Sequence, residues 1–514
     1  MLERLPFRRS TVEEIPVERR EIHWVRFLRA LLAVAFLLSS ASTAAEGVAG
    51  DSGLLSRAAA ASGEPWRYHI RSTFAGSENG LLTHTIVDEQ GDIVVTRRCT
   101  GVVCGGSIVD TRSRRTSLFS YNETPIAQSA PVEPLTVTIR AIVSYAFTAP
   151  TFVAGGGRVA ADGSRSLAGR DVVALAVTAP GGVTLDALLD PQTALLAGIA
   201  RGTTILYEYD DERLIGPLML PATIRLAGGS AERFDERTIV AAPLLPPSGP
   251  PAVFRDTLPV ALEPKTIPVF ACRVEGHDTH CVLDSGASGL AMSLELADRL
   301  HKTFIGRISL EGLGPLESGV VEASELDLGS LRLGKALYAV LPDVGEFGAD
   351  VVVGADVMGK AVIELDMPHH TIRFDPPGTA LAGSLVDLTF GGFTPSVPIQ
   401  LSSKAATTAA ASQLALDTGD ASSIDLSKAF TNAHPDVFVR SSERAVFGVG
   451  GRGSQETGTI GRVVFAGFAL QNVAAGVTDL GSGQVPARLG SGFLTRFAVD
   501  IDYQNARMSV RAVR

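Results

Sequence analysis

Residues 281–288 are Cys-Val-Leu-Asp-Ser-Gly-Ala-Ser, and residues 414–419 are Leu-Ala-Leu-Asp-Thr-Gly. Each stretch places an apolar, strand-like run directly before an Asp, and a hydroxyl residue and a glycine directly after it. One such triplet is weak evidence, because most are ordinary turns after a strand. The two occurrences are informative only if the residues that follow them also form the same pattern in both stretches.

The residues that follow the two triplets form the same pattern. In each unit the Asp precedes a short helix with a serine cap, an apolar-glycine segment and a second strand that ends in Asp. The first unit carries these features at Asp284, Ser293, Gly354 and Asp366, and the second at Asp417, Ser427, Gly490 and Asp502. The interval from the first Asp to the glycine is 70 residues in one unit and 73 in the other. This internal repeat predicts two similar half-sites, as a pseudo-two-fold enzyme needs.

The repeat resembles the pepsin and retropepsin superfamily of aspartic peptidases over residues 253–514. In that family each lobe supplies one Asp from a strand-Asp-Thr/Ser-Gly loop. The resemblance implies a mainly β fold with two six-stranded, double-psi lobes, residues 253–378 and 385–514, that form a cleft. It also implies that Asp284 and Asp417 are the catalytic pair.

The resemblance assigns supporting residues as well. Those that match the dyad-supporting hydroxyls and glycines of the family are Ser285, Thr418, Gly286 and Gly419. The glycines of the two hairpins expected to close over substrate are Gly312, Gly314, Gly450 and Gly451. The pepsin flap tyrosine has no evident counterpart in residues 312–319, so closure must use other side chains.

Paired carboxyls have a definite chemistry. Two carboxyls a few Å apart do not both ionise at low cost, so one keeps its proton. The ionised member takes a proton from water as the water attacks a peptide carbonyl, and the protonated member polarises that carbonyl and later protonates the leaving nitrogen. This chemistry needs no metal or cofactor, and we predict none.

The third position after each Asp departs from the family pattern in the second unit. The first unit has Ala287, as retropepsins do, whereas the second has Asp420. A third carboxylate there either raises the pKa values of the pair by repulsion or points into solvent. We expect it to face solvent.

The composition is that of a folded chain. Hydrophobic residues make up 45% and charged residues 19%, and the net charge is −10 with no basic stripe. Nucleic acid is therefore not an expected partner. Pro/Gly-rich breaks at residues 243–251 and 376–378 divide the chain into three units dominated by short Val/Ile/Leu runs. We predict that residues 60–243 form a separate β-rich domain before the two lobes.

The N-terminus has the order of a signal peptide. Basic residues precede an apolar run at residues 30–38 and small residues at 39–45. We predict that residues 1–45 are a signal peptide or, alternatively, a membrane anchor. Both place the protein in the periplasm or outside the cell, where cysteines tend to pair.

Four cysteines fall into two close couples. A two-residue turn at Gly276-His277 would set Cys272 and Cys281 directly opposite each other, so a disulfide is expected there. A zinc site that uses the intervening histidines is the alternative, and the turn geometry disfavours it. Cys99 and Cys104 are similarly close.

The segment at residues 448–453 matches the dinucleotide fingerprint Gly-x-Gly-x-x-Gly. That fingerprint requires a helix directly after it, whereas residues 459–465 have the pattern of a strand. We predict a hairpin instead of a nucleotide site.

The N-terminal unit resembles the curved-sheet domains of periplasmic lipoprotein carriers at residues 189–196, 209–213 and 216–221. That resemblance implies a concave apolar face for an acyl chain or peptide. The alternative is a β-rich domain that packs on the peptidase and inhibits or positions it.

These observations lead to one expectation and one alternative. We expect a monomeric aspartic endopeptidase that binds extended polypeptide as an added strand. The alternative is a periplasmic peptide- or lipid-binding protein that keeps the fold without turnover. Intact triplets in both units favour the enzyme.

Overall fold

The computed structural model describes residues 52–78, 81–226, 231–311, 315–342, 344–404, 409–448, 451–478 and 487–512. Over these ranges the chain is mainly β, which confirms the prediction. The predicted signal peptide or anchor, residues 1–45, lies outside them. Among the described residues, no helix combines the length and the apolar character needed to cross a membrane.

The N-terminal β region, residues 52–240, contains fourteen strands and three α-helices in the part described. The strands are β1 (His69–Glu78), β2 (Leu81–Gln90), β3 (Ile93–Thr100), β4 (Val103–Asp110), β5 (Arg115–Phe119), β6 (Pro125–Ala127), β7 (Arg158–Leu167), β8 (Arg170–Thr178), β9 (Thr184–Leu189), β10 (Leu196–Arg201), β11 (Thr204–Ile215), β12 (Leu218–Leu226), β13 (Ala231–Arg233) and β14 (Glu236–Val240). The helices are α1 (Ser52–Ser62), α2 (Pro134–Val143) and α3 (Pro150–Ala154), with 3₁₀ turns at Pro65–Arg67 and Ala146–Thr148.

These strands form two seven-stranded sheets, in the orders β14-β1-β2-β3-β4-β5-β6 and β13-β12-β11-β10-β9-β8-β7. Successive side chains of β8 point to opposite faces of the second sheet, and this alternation explains which residues pack on each face. Leu175 and Val177 face a core that includes Leu54 of α1 and Ile142 of α2, whereas Val172 faces a smaller cluster on the opposite side. The helices therefore cover one face of this sheet.

The first repeat, residues 252–375, follows. Its strands are β15 (Ala252–Phe254), β16 (Val260–Ala261), β17 (Val269–Val274), β18 (His277–Leu283), β19 (Ala291–Ser293), β20 (Gly306–Glu311), β21 (Pro315–Ala323), β22 (Leu326–Asp327), β23 (Leu331–Leu333), β24 (Ala336–Leu341), β25 (Val351–Val353), β26 (Val362–Asp366) and β27 (Thr371–Asp375). Its helices are α4 (Leu294–Arg299) and α5 (Ala355–Met358), with a 3₁₀ turn at Val344–Phe347.

The second repeat spans residues 384–512. Its strands are β28 (Ser384–Asp387), β29 (Thr389–Gly391), β30 (Thr394–Ser402), β31 (Ala410–Asp417), β32 (Ile424–Ser427), β33 (Phe438–Gly448), β34 (Gly451–Phe465), β35 (Phe468–Thr478), β36 (Ala487–Gly490), β37 (Phe497–Asp502) and β38 (Arg507–Ala512). Its helices are α6 (Lys428–Ala433) and α7 (Ser491–Leu494).

The two repeats have the same strand order. The first contains β17-β18-β25-β19-β24-β21-β20, and the second contains β30-β31-β36-β32-β35-β34-β33. In both, the strand that leads to the Asp pairs in parallel with the strand that leads to the glycine. The second sheet also closes on itself, because β30 pairs with β34 as well as with β31.

A six-stranded sheet joins the repeats, in the order β16-β27-β26-β37-β38-β28. At its centre β26 and β37 run antiparallel, with Leu365 opposite Val499. Buried side chains from this sheet and from both repeats belong to one hydrophobic core. Continuous burial of this kind holds the two Asp-bearing strands in a fixed relationship.

Local signals in the sequence explain the helix starts. Ser293 accepts the Leu296 N–H at 3.0 Å, and Ser427 accepts the Phe430 N–H at 3.1 Å. Both predicted N-caps are therefore confirmed. The strand predicted at residues 459–465 is confirmed as part of β34, which pairs with β33 as a hairpin.

The predicted position of one turn is wrong. The β17–β18 turn is Glu275-Gly276, with φ values of 52° and 80°, because a two-residue turn of this type needs positive φ at both positions. Cys272 therefore lies opposite Thr279, and Cys281 lies opposite Phe270. The cysteines are diagonal neighbours, and they still form a disulfide. Neither sulfur remains as a thiolate for the alternative zinc site. Cys99 and Cys104 lie directly opposite and form a second disulfide.

Candidate active site

Each Asp lies at the end of a strand, in a loop that closes on the glycine segment. The Asp284 N–H donates to the Val353 carbonyl at 3.0 Å, and Asp417 lies opposite Gly490 in the parallel pair of β31 and β36. One hydrogen bond then spans each turn: Ala287 N–H to the Asp284 carbonyl, and Asp420 N–H to the Asp417 carbonyl, both 3.2 Å. The two loops therefore have matching backbone geometry.

Ser285 and Thr418 join the two loops through reciprocal hydrogen bonds. The Ser285 N–H donates to Thr418 Oγ1 at 2.9 Å, and the Thr418 N–H donates to Ser285 Oγ at 3.0 Å. Each hydroxyl also donates to a carbonyl of the opposite strand: Ser285 to Leu416 at 2.6 Å, and Thr418 to Leu283 at 2.8 Å. Both side chains are fully buried, and the N–H and hydroxyl groups of both residues have partners from the other repeat, as buried polar groups require.

The two glycines lie against the opposite carboxyl. A Cβ added to Gly419 would lie 2.6 Å from Cγ of Asp284, and a Cβ added to Gly286 would lie 3.0 Å from Cγ of Asp417. The Gly286 N–H also donates to Asp284 Oδ1 at 2.8 Å, and the Cβ added to Gly286 would lie 3.0 Å from Asp417 Oδ1 and 3.1 Å from Asp284 Oδ1, so both carboxyls flank this glycine. The structure thus brings together all six residues predicted for the dyad and its support.

The electrostatics of the pair favour a retained proton. Burial raises the pKa of Asp284, and burial together with the charge of Asp284 raises the pKa of Asp417 well above its usual value. Because two carboxyls this close interact strongly, each titration step belongs to the pair and not to either residue alone.

Asp420 does not simply face solvent, which corrects that expectation. The residue is half-buried, and its Oδ1 accepts the Ser422 N–H at 2.8 Å. Its charge is also among the causes that raise the pKa values of Asp417 and Asp284. The position of Asp420 therefore favours the repulsion considered for it, which would raise the pKa values of the pair.

Sequence reasoning missed two charged residues in the second repeat. Arg488 Nη1 lies 3.5 Å from Asp417 Oδ2, and its Nε is buried with no hydrogen-bond partner among the described residues. Asp425, opposite Arg488 in the strand pairing, is buried, and burial raises its pKa to about 6. The matching position for Arg488 in the first repeat is Val352, so a comparison of the two repeats could have found it.

Two further side chains support the base of the loops. The Tyr503 hydroxyl donates to the Ser285 carbonyl at 3.3 Å, and Thr394 Oγ1 donates to the Gly286 carbonyl at 3.4 Å. Both residues belong to the second repeat and hold the loop of the first. No local motif in the sequence marks either of them.

The predicted hairpin glycines are only partly described. Gly312, Gly314 and Gly450 lie outside the described residues, and Gly451 begins β34. The strands on either side of the first pair, β20 and β21, form an antiparallel hairpin. Near the end of the second hairpin, Arg452 lies 3.6 Å from Glu346 of the first repeat.

Over the described ranges, no group of three or more His, Cys, Asp or Glu side chains is arranged to hold a metal ion. The side chains brought together at the site are the two carboxyls, the hydroxyls of Ser285 and Thr418, and the guanidinium of Arg488.

Comparison with known proteins supports this assignment at the level of one domain. Residues 270–357 match a family described as aspartyl protease. The matched span includes Asp284 and its glycine segment, so this part of the chain is an aspartyl protease-like domain. No curated protein matches the chain.

Proposed function

We propose that the protein is a two-lobed aspartic endopeptidase of the pepsin and retropepsin kind, with Asp284 and Asp417 as its catalytic pair. The observation that carries this proposal is the reciprocal hydrogen bonding of Ser285 and Thr418 beneath two carboxyls that both lie against Gly286. The repeated strand order supports the two-lobed arrangement.

The raised pKa values support general acid–base chemistry by this pair. One carboxyl is ionised and removes a proton from water, which attacks the peptide carbonyl carbon. The other carboxyl donates a hydrogen bond to the carbonyl oxygen as negative charge develops there. The leaving nitrogen then takes a proton from the pair, and both carboxyls return to their starting state.

The substrate in this proposal is an extended polypeptide, bound as a strand between the hairpins and the floor of the cleft. The enzyme acts as a monomer in the periplasm or outside the cell, released by signal cleavage or held by its N-terminal apolar segment. These features rest on the order of residues 1–45 and on the family resemblance.

The test is cleavage of an unfolded protein by residues 46–514 between pH 3 and 8, beside Asp284→Asn and Asp417→Asn. Asp436→Asn is the matched control, because Asp436 is exposed. We expect the wild type and the control to cut, and a statine inhibitor to block both. If all four proteins bind peptide without cutting it, the binding-protein alternative replaces the enzyme.

A further inference from the structure

The docking segment, residues 120–129, belongs to the N-terminal β region but contacts both repeats. Asn122 Nδ2 donates to the Leu337 carbonyl at 2.8 Å, and Asn122 Oδ1 accepts the Leu337 N–H at 2.7 Å. The side-chain amide therefore bonds to β24 as the peptide group of a neighbouring strand would. Asn122 is only 8% exposed, so the contact is an interior one.

A buried carboxylate of the first repeat receives the same segment. Asp356 accepts hydrogen bonds from Ser120 Oγ and from Asn122 Nδ2, both at 2.7 Å. It also accepts the Leu290 N–H at 3.1 Å. The matching position in the second repeat is Gly492, two residues after the glycine of its segment. The additional carboxylate thus lies in the repeat on which Ser120 and Asn122 dock.

These contacts lie behind the loop that carries Asp284. The Tyr121 hydroxyl donates to the Leu290 carbonyl, six residues after that Asp. A Cβ added to Gly289 would lie 2.8 Å from both the Tyr121 hydroxyl oxygen and Asp356 Oδ2. The docking segment therefore packs directly against the back of the loop.

The other end of the docking segment contacts the second repeat. Gln128 Nε2 donates to the Gly392 carbonyl at 3.0 Å, and Gln128 Oε1 accepts the Gly392 N–H at 3.2 Å. The Phe390 N–H donates to Ser129 Oγ. Between the two ends, Ile126 is 1% exposed and belongs to the core shared by both repeats.

A second element of the N-terminal β region contacts the β20–β21 hairpin. Val103, at the start of β4, is 6% exposed and belongs to the cluster against which Ile308 and Leu310 of β20 pack. A Cβ added to Gly306 would lie 2.5 Å from Val103 Cγ2. This hairpin is therefore packed against the N-terminal β region at its base.

We propose that the N-terminal β region is a permanent brace of the peptidase, which sets the position of both repeats, and not a pro-region removed on activation. Removal of this segment would leave the Asp356 carboxylate and the backbone of Leu337 without the hydrogen-bond partners described above. The loss would be costly, because a buried polar group without a hydrogen-bond partner destabilises the fold. The effect on activity rests on the proposed function, but the physical association does not.

The test is a cut in the connection between the brace and the repeats. A site for a sequence-specific protease is inserted after Leu245, which is 76% exposed. The disulfides Cys99–Cys104 and Cys272–Cys281 each lie within one fragment, so no covalent link remains after cutting. We expect the fragments to co-elute in gel filtration and to keep full peptidase activity. Fragments that separate without denaturant, with the C-terminal one folded and at least as active, would overturn the brace.

Asn122→Asp sharpens the test, because it places a second carboxylate against Asp356. We expect it to weaken association of the cut fragments by at least about tenfold, since it adds a like charge next to the buried carboxylate of Asp356. Gln192→Glu adds the same charge to an exposed turn and is the matched control. Equal association in both variants would contradict the docking assignment.

If Asn122→Asp does not fold, Gln128→Ala probes the other repeat by the same measurement, and unchanged association there would also count against the brace. If the wild type proves to have no peptidase activity, the proposed function fails, while co-elution still decides whether the brace is permanent.

Discussion

The guanidinium of Arg488 lies 3.5 Å from the carboxylate of Asp417, measured from Nη1 to Oδ2. The position that matches Arg488 beside Asp284 is Val352. A cation at this distance favours the ionised form of its neighbour, although burial and the charge of Asp284 outweigh it in setting the pKa of Asp417. The two members of the pair are therefore inequivalent, because a cation lies beside Asp417 whereas the Gly286 N–H donates to Asp284.

Replacing Arg488 by Met should move the acid limb of kcat/KM to higher pH. The acid limb reports the first deprotonation of the free pair. Without the cation that pKa rises, so the active, singly ionised form appears only at higher pH, by about one pH unit for an opposite charge this close. The pH profile of peptide cleavage measures the shift.

Two variants control this experiment. Arg488→Lys keeps the charge and should restore most of the profile, and Arg462→Met removes an exposed arginine of β34 and should change nothing. A purely structural role for Arg488 predicts lower stability in the Met variant with the acid limb unmoved.

Asp420→Asn should shift the same limb in the opposite direction. The charge of Asp420 raises the pKa values of both members of the pair, so its removal lets the first deprotonation occur at lower pH. The amide oxygen can still accept the Ser422 N–H, so the turn should persist. We expect a shift of about half a pH unit, because the residue is partly exposed to solvent. An unmoved acid limb would mean that solvent screens this charge.

Thr418→Val tests the hydrogen bonds beneath the pair. The substitution keeps the shape but leaves the Leu283 carbonyl and the Ser285 N–H without their present partner. Each buried group left unsatisfied costs about 1–3 kcal/mol, so the free energy of unfolding should fall by at least that amount, and activity should fall with it. Denaturant titration measures the loss. Thr418→Ser keeps the hydroxyl and should be much milder; equal losses in the two variants would show that packing, not hydrogen bonding, matters here.

The half-sites were predictable because their determinants are local. The strand before each Asp, the small residues after it and the Ser293 and Ser427 caps all depend on a few neighbouring residues, and the repeat made each unit a check on the other. The pairing of Ser285 with Thr418 came from the family resemblance, since their separation in sequence says nothing about contact.

The remaining features depend on contacts between distant segments. The turn between β17 and β18 begins at Glu275 because of the register in which these two strands pair. The spacing of the cysteines alone did not determine that register. Asp356 is an ordinary helix residue until Ser120 and Asn122 pack on it, and no local pattern marks that docking. Aligning the two repeats would have singled out Arg488 and Asp356 as charged residues at positions where the other repeat has Val352 and Gly492.

Gly419→Ala should abolish peptidase activity while leaving most of the fold intact. The new methyl group would lie 2.6 Å from Cγ of Asp284, well inside contact distance, so that carboxyl must leave the position in which it faces Asp417. Gly286→Ala should be less severe, because its methyl group would lie 3.0 Å from Cγ of Asp417. Gly391→Ala is the control, since a Cβ there meets no atom of the described residues within 4 Å. Cleavage assays beside thermal unfolding separate the two effects, and an active Gly419→Ala protein would show that the reacting carboxyls are not these two.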